Sequence, residues 1–242
     1  MRVFRDTEGL QPIPNAVVTV GSFDGVHYGH RALLHELRQV AAATGGESVV
    51  VTLWPHPRNV LHGGVKLLNT LPEKLLLLEE AGIDDVVVLT FTHDFAALRA
   101  DQFIRDVLVR RIGMRHLVVG YNHHFGSDHQ DHFAEADSAV TVHRIRRYDV
   151  HEEKVSSTII RNCILAGDMT RAAELLTAPY PLLADLATDG AITPDPDKLL
   201  PPAGDYRVSI DGKREGVLHI APQGIRLEAD PAIGGRHLLR FI

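Results

Sequence analysis

Val20 to Leu34 reads VGSFDGVHYGHRALL. The stretch follows the β-branched run AVVTV (Ala16 to Val20), turns through Gly21, Gly25 and Gly29, and enters an apolar pattern at Leu33, Leu37 and Val40, the spacing of one helical face. A strand that leaves through a glycine-bearing turn into a helix is the βα unit of a parallel sheet. The glycines let backbone N–H groups approach a ligand closely, and the helix N-terminus favours an anion. His27 and His30 place two imidazoles at the same mouth, with Gly29 leaving room between them. Donors placed there would stabilise charge building on a transferring phosphoryl group, a reaction carried by positioning and electrostatics and needing no covalent nucleophile. Taken alone, the His-x-Gly-His spacing is equally compatible with two incidental histidines in a chain that has 15 of them. The strand–turn–helix context favours the functional reading.

Working outward, SVVVTL (Ser48 to Leu53), VVVL (Val86 to Leu89), HLVVG (His116 to Gly120) and AVTVHRI (Ala139 to Ile145) repeat the continuous β-branched character of strands covered on both faces. Helical patterns separate them. Thr70, Pro72 and Glu73 read as an N-cap, a first-turn proline and a capping-box partner, with Gly82 ending that helix. Another helix is expected from Asp101 to Ile112, stopping at Gly113, and a further one from Ser156 or Ser157 to near Gly167, with a short helix through Ala172 to Leu176. The expected architecture is an α/β, Rossmann-like parallel sheet followed by a small β-rich C-terminal domain.

The character changes after Leu183. TDGAITPDPDKLLPPAGD has no periodicity and reads as a linker or extended loop. Beyond it YRVSI, an Asp211-Gly212 hairpin turn, GVLHI, IRLEA and HLLRFI suggest a small β-meander. This divides the chain into residues 1–183 and residues 184–242, the second part being marginal for an independent domain and expected to pack on the first.

The chain has 242 residues, with 25 Lys and Arg against 31 Asp and Glu, a net charge of −6. That balance disfavours a nucleic-acid partner, so a phosphate-bearing ligand must be held by a local site. A single cysteine, Cys163, excludes an intramolecular disulfide and fits a reducing compartment. The N-terminal MRVFRDTEGLQPIP lacks a long apolar run, and Leu75 to Leu78 is bracketed by Lys74 and Glu79. A soluble cytoplasmic protein without membrane association is therefore expected. Nothing in the sequence specifies an oligomeric state.

Gly21-Ser22-Phe23-Asp24-Gly25-Val26-His27-Tyr28-Gly29-His30 strongly resembles the signature of the FAD synthetase adenylyltransferase module, within the nucleotidyltransferase superfamily that carries a His-x-Gly-His motif. Three further segments resemble that family in order: Thr52-Leu53-Trp54-Pro55-His56-Pro57, Val119 to Gly126, and Val155-Ser156-Ser157-Thr158-Ile159-Ile160-Arg161. The resemblance spans residues 1 to about 183. It implies transfer of AMP from ATP to FMN, giving FAD and pyrophosphate, with Mg²⁺ bridging the ATP phosphates. On this reading His27, His30 and Arg161 are the catalytic residues. Gly21, Ser22, Phe23, Asp24, Gly25, His27, Gly29, His30, Ser156, Ser157, Thr158 and Arg161 would meet ATP.

Each segment also has its own chemistry. Ser156, Ser157 and Thr158 put hydroxyls and free N–H groups at a second helix N-terminus, and Arg161, one turn in, can fork two phosphate oxygens of the leaving pyrophosphate. In isolation the same segment reads as an ordinary N-cap with a surface Arg. Trp54, Pro55, His56 and Pro57 form a flat-surfaced turn at the C-terminal end of a strand, where ligands of open α/β sheets bind. With Tyr121, Asn122 and Phe125 they are the expected flavin contacts, although a lone Trp is also commonly a core residue. Asn122 is the candidate metal contact, direct or through water.

Two departures from the family stand out. Ser127-Asp128-His129-Gln130-Asp131-His132 replaces a basic residue and Gly-Asp after Phe125-Gly126, so an anion contact there would become pH-sensitive. His123, His124, His129 and His132 lack accompanying Cys and tight ligand spacing, so zinc is not the expected reading. Bifunctional members also carry a C-terminal riboflavin kinase domain with a Gly-Arg-x-x-Gly-x-Pro-Thr-Ala-Asn motif. Asp189 to Pro196 stands in its place, and Gly235 stands where a catalytic Glu would precede His237. The tail is therefore expected to be a shortened, degenerate kinase domain. Two alternatives remain open: a related nucleotidyltransferase acting on another phosphomonoester, and a catalytically silent flavin- or nucleotide-binding regulatory protein.

Overall fold

A computed structural model of the protein describes residues 1–120, 140–145, 155–229 and 233–242. The chain divides into two compact units. One comprises Met1–Phe23, Gly29–Val65 and Leu77–Tyr148, the other Asp24–Tyr28, Lys66–Leu76 and Asp149–Ile242.

The first unit is a parallel six-stranded sheet in the order β1-β4-β3-β2-β5-β6. Its strands are β1 (Arg2–Arg5), β2 (Ala16–Val20), β3 (Ser48–Trp54), β4 (Asp85–Thr90), β5 (Met114–Val119) and β6 (Thr141–Arg144). β2 is buried along its whole length and β3 and β4 nearly so, as continuous Val-rich runs require when both faces are covered. From β2 the order runs through β3 and β4 to one edge and jumps to β5 and β6 on the other. The switch point, where open α/β sheets bind ligands, therefore lies at the C-terminal ends of β2 and β5. The core gathers Val18, Val20, Val49, Val51, Val87, Leu117 and Val119 from the strands with Ile104, Leu108 and Ile112 from the helix before β5.

Helix α1 (Tyr28–Thr44) turns Leu33, Leu34, Leu37, Val40 and Ala41 inward, the face read from its apolar spacing. The short helices α2 (Pro57–Leu61) and α4 (His93–Ala96) carry no apolar periodicity and are additions to the sequence reading. In α3 (Leu71–Glu80) the capping box forms as expected: Thr70 N donates to Glu73 Oε2 at 2.8 Å, and Glu73 N to Thr70 Oγ1 at 3.4 Å. The helix expected from Asp101 instead begins as α5 (Ala100–Gln102) and is wound as a π-helix over Phe103–Ile112.

The second unit contains α6 (Ser157–Leu165), α7 (Met169–Leu176) and a closed antiparallel barrel in the order β10-β11-β8-β7-β12-β9. Its strands are β7 (Pro181–Leu186), β8 (Ala191–Ile192), β9 (Gly204–Ile210), β10 (Arg214–Ala221), β11 (Gly224–Glu228) and β12 (Gly235–Phe241). The expected meander is corrected here. Of the four strands of that expected meander, only β9, β10 and β11 follow one another as hairpins, while β12 pairs with both β7 and β9 and closes the ring. Closure removes the two unpaired edges an open meander would present. The supposed linker also contributes structure, since Ala191–Ile192 is a strand and Lys198 bridges in parallel to Leu67. The Asp211-Gly212 turn forms with positive φ at both residues, 51° and 67°, as a tight hairpin demands. Leu182, Ala184, Val208, Ile210, Leu218, Leu227 and Leu239 fill this unit's core with Ile160, Ile164, Leu175 and Tyr180.

Candidate functional site

The segment that leaves β2 is held at its start by main-chain bonding. Gly21 N donates to Val51 O at 3.0 Å, and Thr52 Oγ1 donates to Ser22 O at 3.4 Å. Phe23 is buried and left-handed, with φ 46°, and its ring lies 5.1 Å from the imidazole of His30 at an interplanar angle of 53°. Gly29 and His30 occupy the first turn of α1, which carries no acidic side chain. The unsatisfied N–H groups and positive end of that helix are thus not neutralised from within.

Asp24 to His27 belong to the second unit and centre on the Asp24 carboxylate, which is 2% exposed. Oδ1 accepts from Leu68 N at 2.9 Å and Asn69 N at 3.2 Å, while Oδ2 accepts from Arg161 Nη2. The Asp24 main-chain oxygen accepts from Ser157 Oγ at 2.8 Å, and Arg161 Nε donates to Lys66 O at 2.9 Å. The loop, the segment before α3 and the first turns of α6 are therefore tied through one carboxylate. Gly25 adopts φ 95°, and a Cβ there would stand 2.7 Å from Leu68 Cδ1, so a side chain would be strained by its backbone and would push Leu68 aside. Val26 is also left-handed, with φ 41°, a costly conformation for a β-branched residue that the surrounding bonds hold in place.

Burial sets the charges. His27 is pushed down to about 4 by desolvation, against the pull of Asp24, so its imidazole is neutral at neutral pH. Lys74, 1% exposed, is lowered to about 8 by the same cause, with Asp24 again opposing. The Arg161 guanidinium faces Asp24. The cluster combines a permanent cation, a tunable cation and one carboxylate already bonded to the protein. It can accept an anion without stranding a buried charge.

The sequence-derived site residues meet different fates. Ser156 is the N-cap of α6 and accepts from Ile159 N, Ser157 instead bonds the loop, and Thr158 is exposed. Arg161 is not a surface residue, its side chain being 9% exposed. Trp54 ends β3 half-buried, Pro55 is exposed, and Pro57 is the first residue of α2. His56 is a buried N-cap whose Nδ1 accepts from Arg58 N at 3.2 Å. Tyr121, Asn122, Phe125 and the histidines from His123 to His132 lie outside the described residues. Among the described residues no group of three or more His, Cys, Asp or Glu is placed to hold a metal ion.

Sequence reasoning missed Leu68, Asn69 and Lys74. The first two act through backbone N–H groups, which carry no side-chain signature. Lys74 left one trace, as the charge that adjoins the apolar run from Leu75 to Leu78.

The FAD synthetase family profile matches residues 11–159. Over its full length the chain is 32% identical to a bifunctional riboflavin kinase/FMN adenylyltransferase of Pseudomonas fluorescens, covering 84% of that protein. It is 32% identical to the protein so named in Listeria monocytogenes over 69% of this chain and 55% of that one, and 31% identical to the one in Escherichia coli over 74% and 60%. The chain thus spans little more than half the length of the last two. A solved structure described as a macrolide-efflux protein from Streptococcus pneumoniae superposes with a TM-score of 0.86, covering 99% of this chain and 96% of that one. At 21% identity that likeness shows the fold alone. Among the described residues no helix is long and apolar enough to cross a membrane. The family match over most of the sheet-forming sequence, together with 32% identity to the Pseudomonas protein along the whole of this chain, places the chain in the FAD synthetase family.

Proposed function

We propose that this chain is an FMN adenylyltransferase, transferring AMP from ATP to FMN to give FAD and pyrophosphate. A phosphate oxygen of FMN attacks the α-phosphorus of ATP, the new P–O bond forms, and the bond to the β-phosphate breaks as pyrophosphate leaves. FMN phosphate is already ionised near neutral pH, so the protein has to orient two anions and stabilise charge rather than remove a proton. The observation that carries this reading is the Asp24 carboxylate, which binds the glycine-bearing loop, the Leu68-Asn69 backbone and Arg161 into one unit. A loop locked in this way presents backbone N–H groups to phosphate in a fixed arrangement.

In this reading Asp24 holds the loop and does not meet ATP, while Arg161, aligned by Asp24 and Lys66 O, directs its remaining guanidinium N–H groups to the pyrophosphate. His27 acts as a neutral donor, as its depressed pKa requires, and His30 donates from the first turn of α1. Trp54 to Pro57 supply a flavin wall at the end of β3. Mg²⁺ bound together with ATP would offset the phosphate charge and would ask few ligands of the protein.

The barrel is proposed to lack riboflavin kinase chemistry. Ala191–Ile192 pairs as a strand where the family's nucleotide motif belongs, and Gly235 opens β12 with no side chain to accept a hydroxyl proton. Purified protein with Mg-ATP and FMN should form FAD and pyrophosphate, whereas Mg-ATP with riboflavin should form neither FMN nor FAD. FMN made from riboflavin would overturn the second half of the proposal, and absence of FAD from FMN the first.

A further inference from the structure

We infer that the buried carboxamide of Asn69 is a substrate contact, donating through Nδ2 to a phosphate oxygen of a bound nucleotide. The inference rests on the adenylyltransferase reading and adds a residue to that site. Asn69 is 1% exposed, and neither its Nδ2 nor its Oδ1 has a hydrogen-bond partner among the described residues. A carboxamide carries two donors and an acceptor, and burying them unsatisfied destabilises a fold. Native proteins pair nearly all such groups, so an orphaned one marks a position kept for another reason.

Its place in the chain supplies the reason. Asn69 immediately precedes Thr70, which caps α3, and its own N–H donates to Asp24 Oδ1 at 3.2 Å. The adjacent Leu68 N donates to the same oxygen, and the Leu68 side chain lies where a Cβ on Gly25 would fall. Residues 68 and 69 therefore lie directly against the loop of the motif. The carboxylate they bind also takes Arg161, and Lys74 is buried within its electrostatic reach. With two cations around one already bonded carboxylate, the local balance suits a phosphate. A neutral amide adds a donor there without burying further charge. Both amide atoms are closed off from solvent, so the side chain has to turn toward the ligand as it arrives. Turning exchanges two unsatisfied atoms for hydrogen bonds. Leucine shares the branching of asparagine at Cγ and is bulkier, with neither donor nor acceptor.

The test uses the full chain with Asn69→Leu, and with Asn69→Ala, which adds no bulk. Urea unfolding without ligand and separate calorimetric titrations with Mg-ATP and with FMN are compared with wild type. Asn69→Ala should be less stable than wild type by no more than the loss of its packing, and Asn69→Leu by no more than the cost of its added bulk, because neither change removes a hydrogen bond within the protein. Affinity for one phosphate ligand should fall about 10- to 100-fold, the effect of losing a hydrogen bond to a charged group. A loss confined to Mg-ATP places the contact on the triphosphate, and a loss confined to FMN places it on the flavin phosphate. Dissociation constants within twofold of wild type for both ligands overturn the inference. So does clear destabilisation of both variants, because the amide would then have partners within the folded protein. Wild type that binds neither ligand and forms no FAD removes the adenylyltransferase reading itself. Active wild type with unaffected variants removes only the role of Asn69.

Discussion

Lys198 Nζ lies 2.8 Å from Glu73 Oε2, and both side chains are fully excluded from solvent. The other two ammonium protons go to Leu68 O at 2.8 Å and Pro181 O at 2.7 Å, with the Tyr180 ring 4.1 Å away. Glu73 in turn accepts from Thr70 N and Leu183 N, both at 2.8 Å. A buried ion pair repays its desolvation only when every remaining donor and acceptor is bonded, and this one meets that condition. Through Leu68 the pair also reaches the segment whose N–H groups hold Asp24.

Replacing Lys198 with Met should therefore destabilise the protein by about 3–5 kcal/mol, because Glu73 is left charged and buried without its cation. Adding Glu73→Gln removes that charge, and the double variant should be more stable than Lys198→Met alone. Urea unfolding of the four proteins of this cycle reads both effects. A Lys198→Met variant as stable as wild type would show that the pair contributes nothing.

Much of this architecture is legible in the residues themselves, and the boundary of legibility is physical. β2 to β5 announce themselves because strands buried on both faces must be continuously apolar, as in AVVTV. β1, an edge strand reading RVFR, bears two arginines that tolerate solvent and so gives no such run. Barrel closure by β12 depends on register with β7 and β9, which no local pattern encodes. At the site, residues 21–30 stand out because their chemistry is contiguous. The Asp24 hub does not, because it is completed from 44, 45 and 137 positions away, twice by backbone N–H groups.

Arg161→Lys should impair both stability and FAD formation. The guanidinium holds Asp24 with Nη2 and Lys66 O with Nε at the same time, which a single ammonium cannot reproduce. A loss of about 1–3 kcal/mol in unfolding free energy is expected, the scale of a hydrogen bond to a charged group, together with reduced turnover. Unchanged stability and turnover in the Lys variant would reduce Arg161 to a point charge.

His27 makes stability depend on pH. Its folded pKa of about 4 lies below the ordinary 6.5, so between these values the unfolded chain binds more protons than the folded one. The contribution is present above about pH 6.5 and is lost as pH falls toward 4, amounting to about 3 kcal/mol across the window. His116, lowered by burial and by His143, acts in the same direction, whereas His219 and His237, raised by neighbouring carboxylates, act in the opposite one. The measurement is therefore a difference: wild type should lose more stability than His27→Gln between pH 7 and pH 4.5. Parallel pH profiles for the two proteins would exclude His27 as the source.

The last prediction separates chemistry from binding at His30. Its imidazole sits in the first turn of α1 against the Phe23 ring, so its direction is fixed by an aromatic contact as well as by the helix. A donor held at a helix N-terminus contributes most when charge moves onto the oxygens between the α- and β-phosphates, and less while ATP is merely bound. His30→Ala should therefore lower turnover by about 100-fold while Mg-ATP affinity changes only a few-fold. Phe23→Leu keeps the imidazole but removes the ring it leans on, and should lower turnover by less, with ATP affinity again retained. Equal losses of affinity and turnover in His30→Ala would mean that the imidazole binds ground state and transition state alike. Full turnover in a folded His30→Ala protein would take the residue out of the site, whatever the fate of Phe23→Leu.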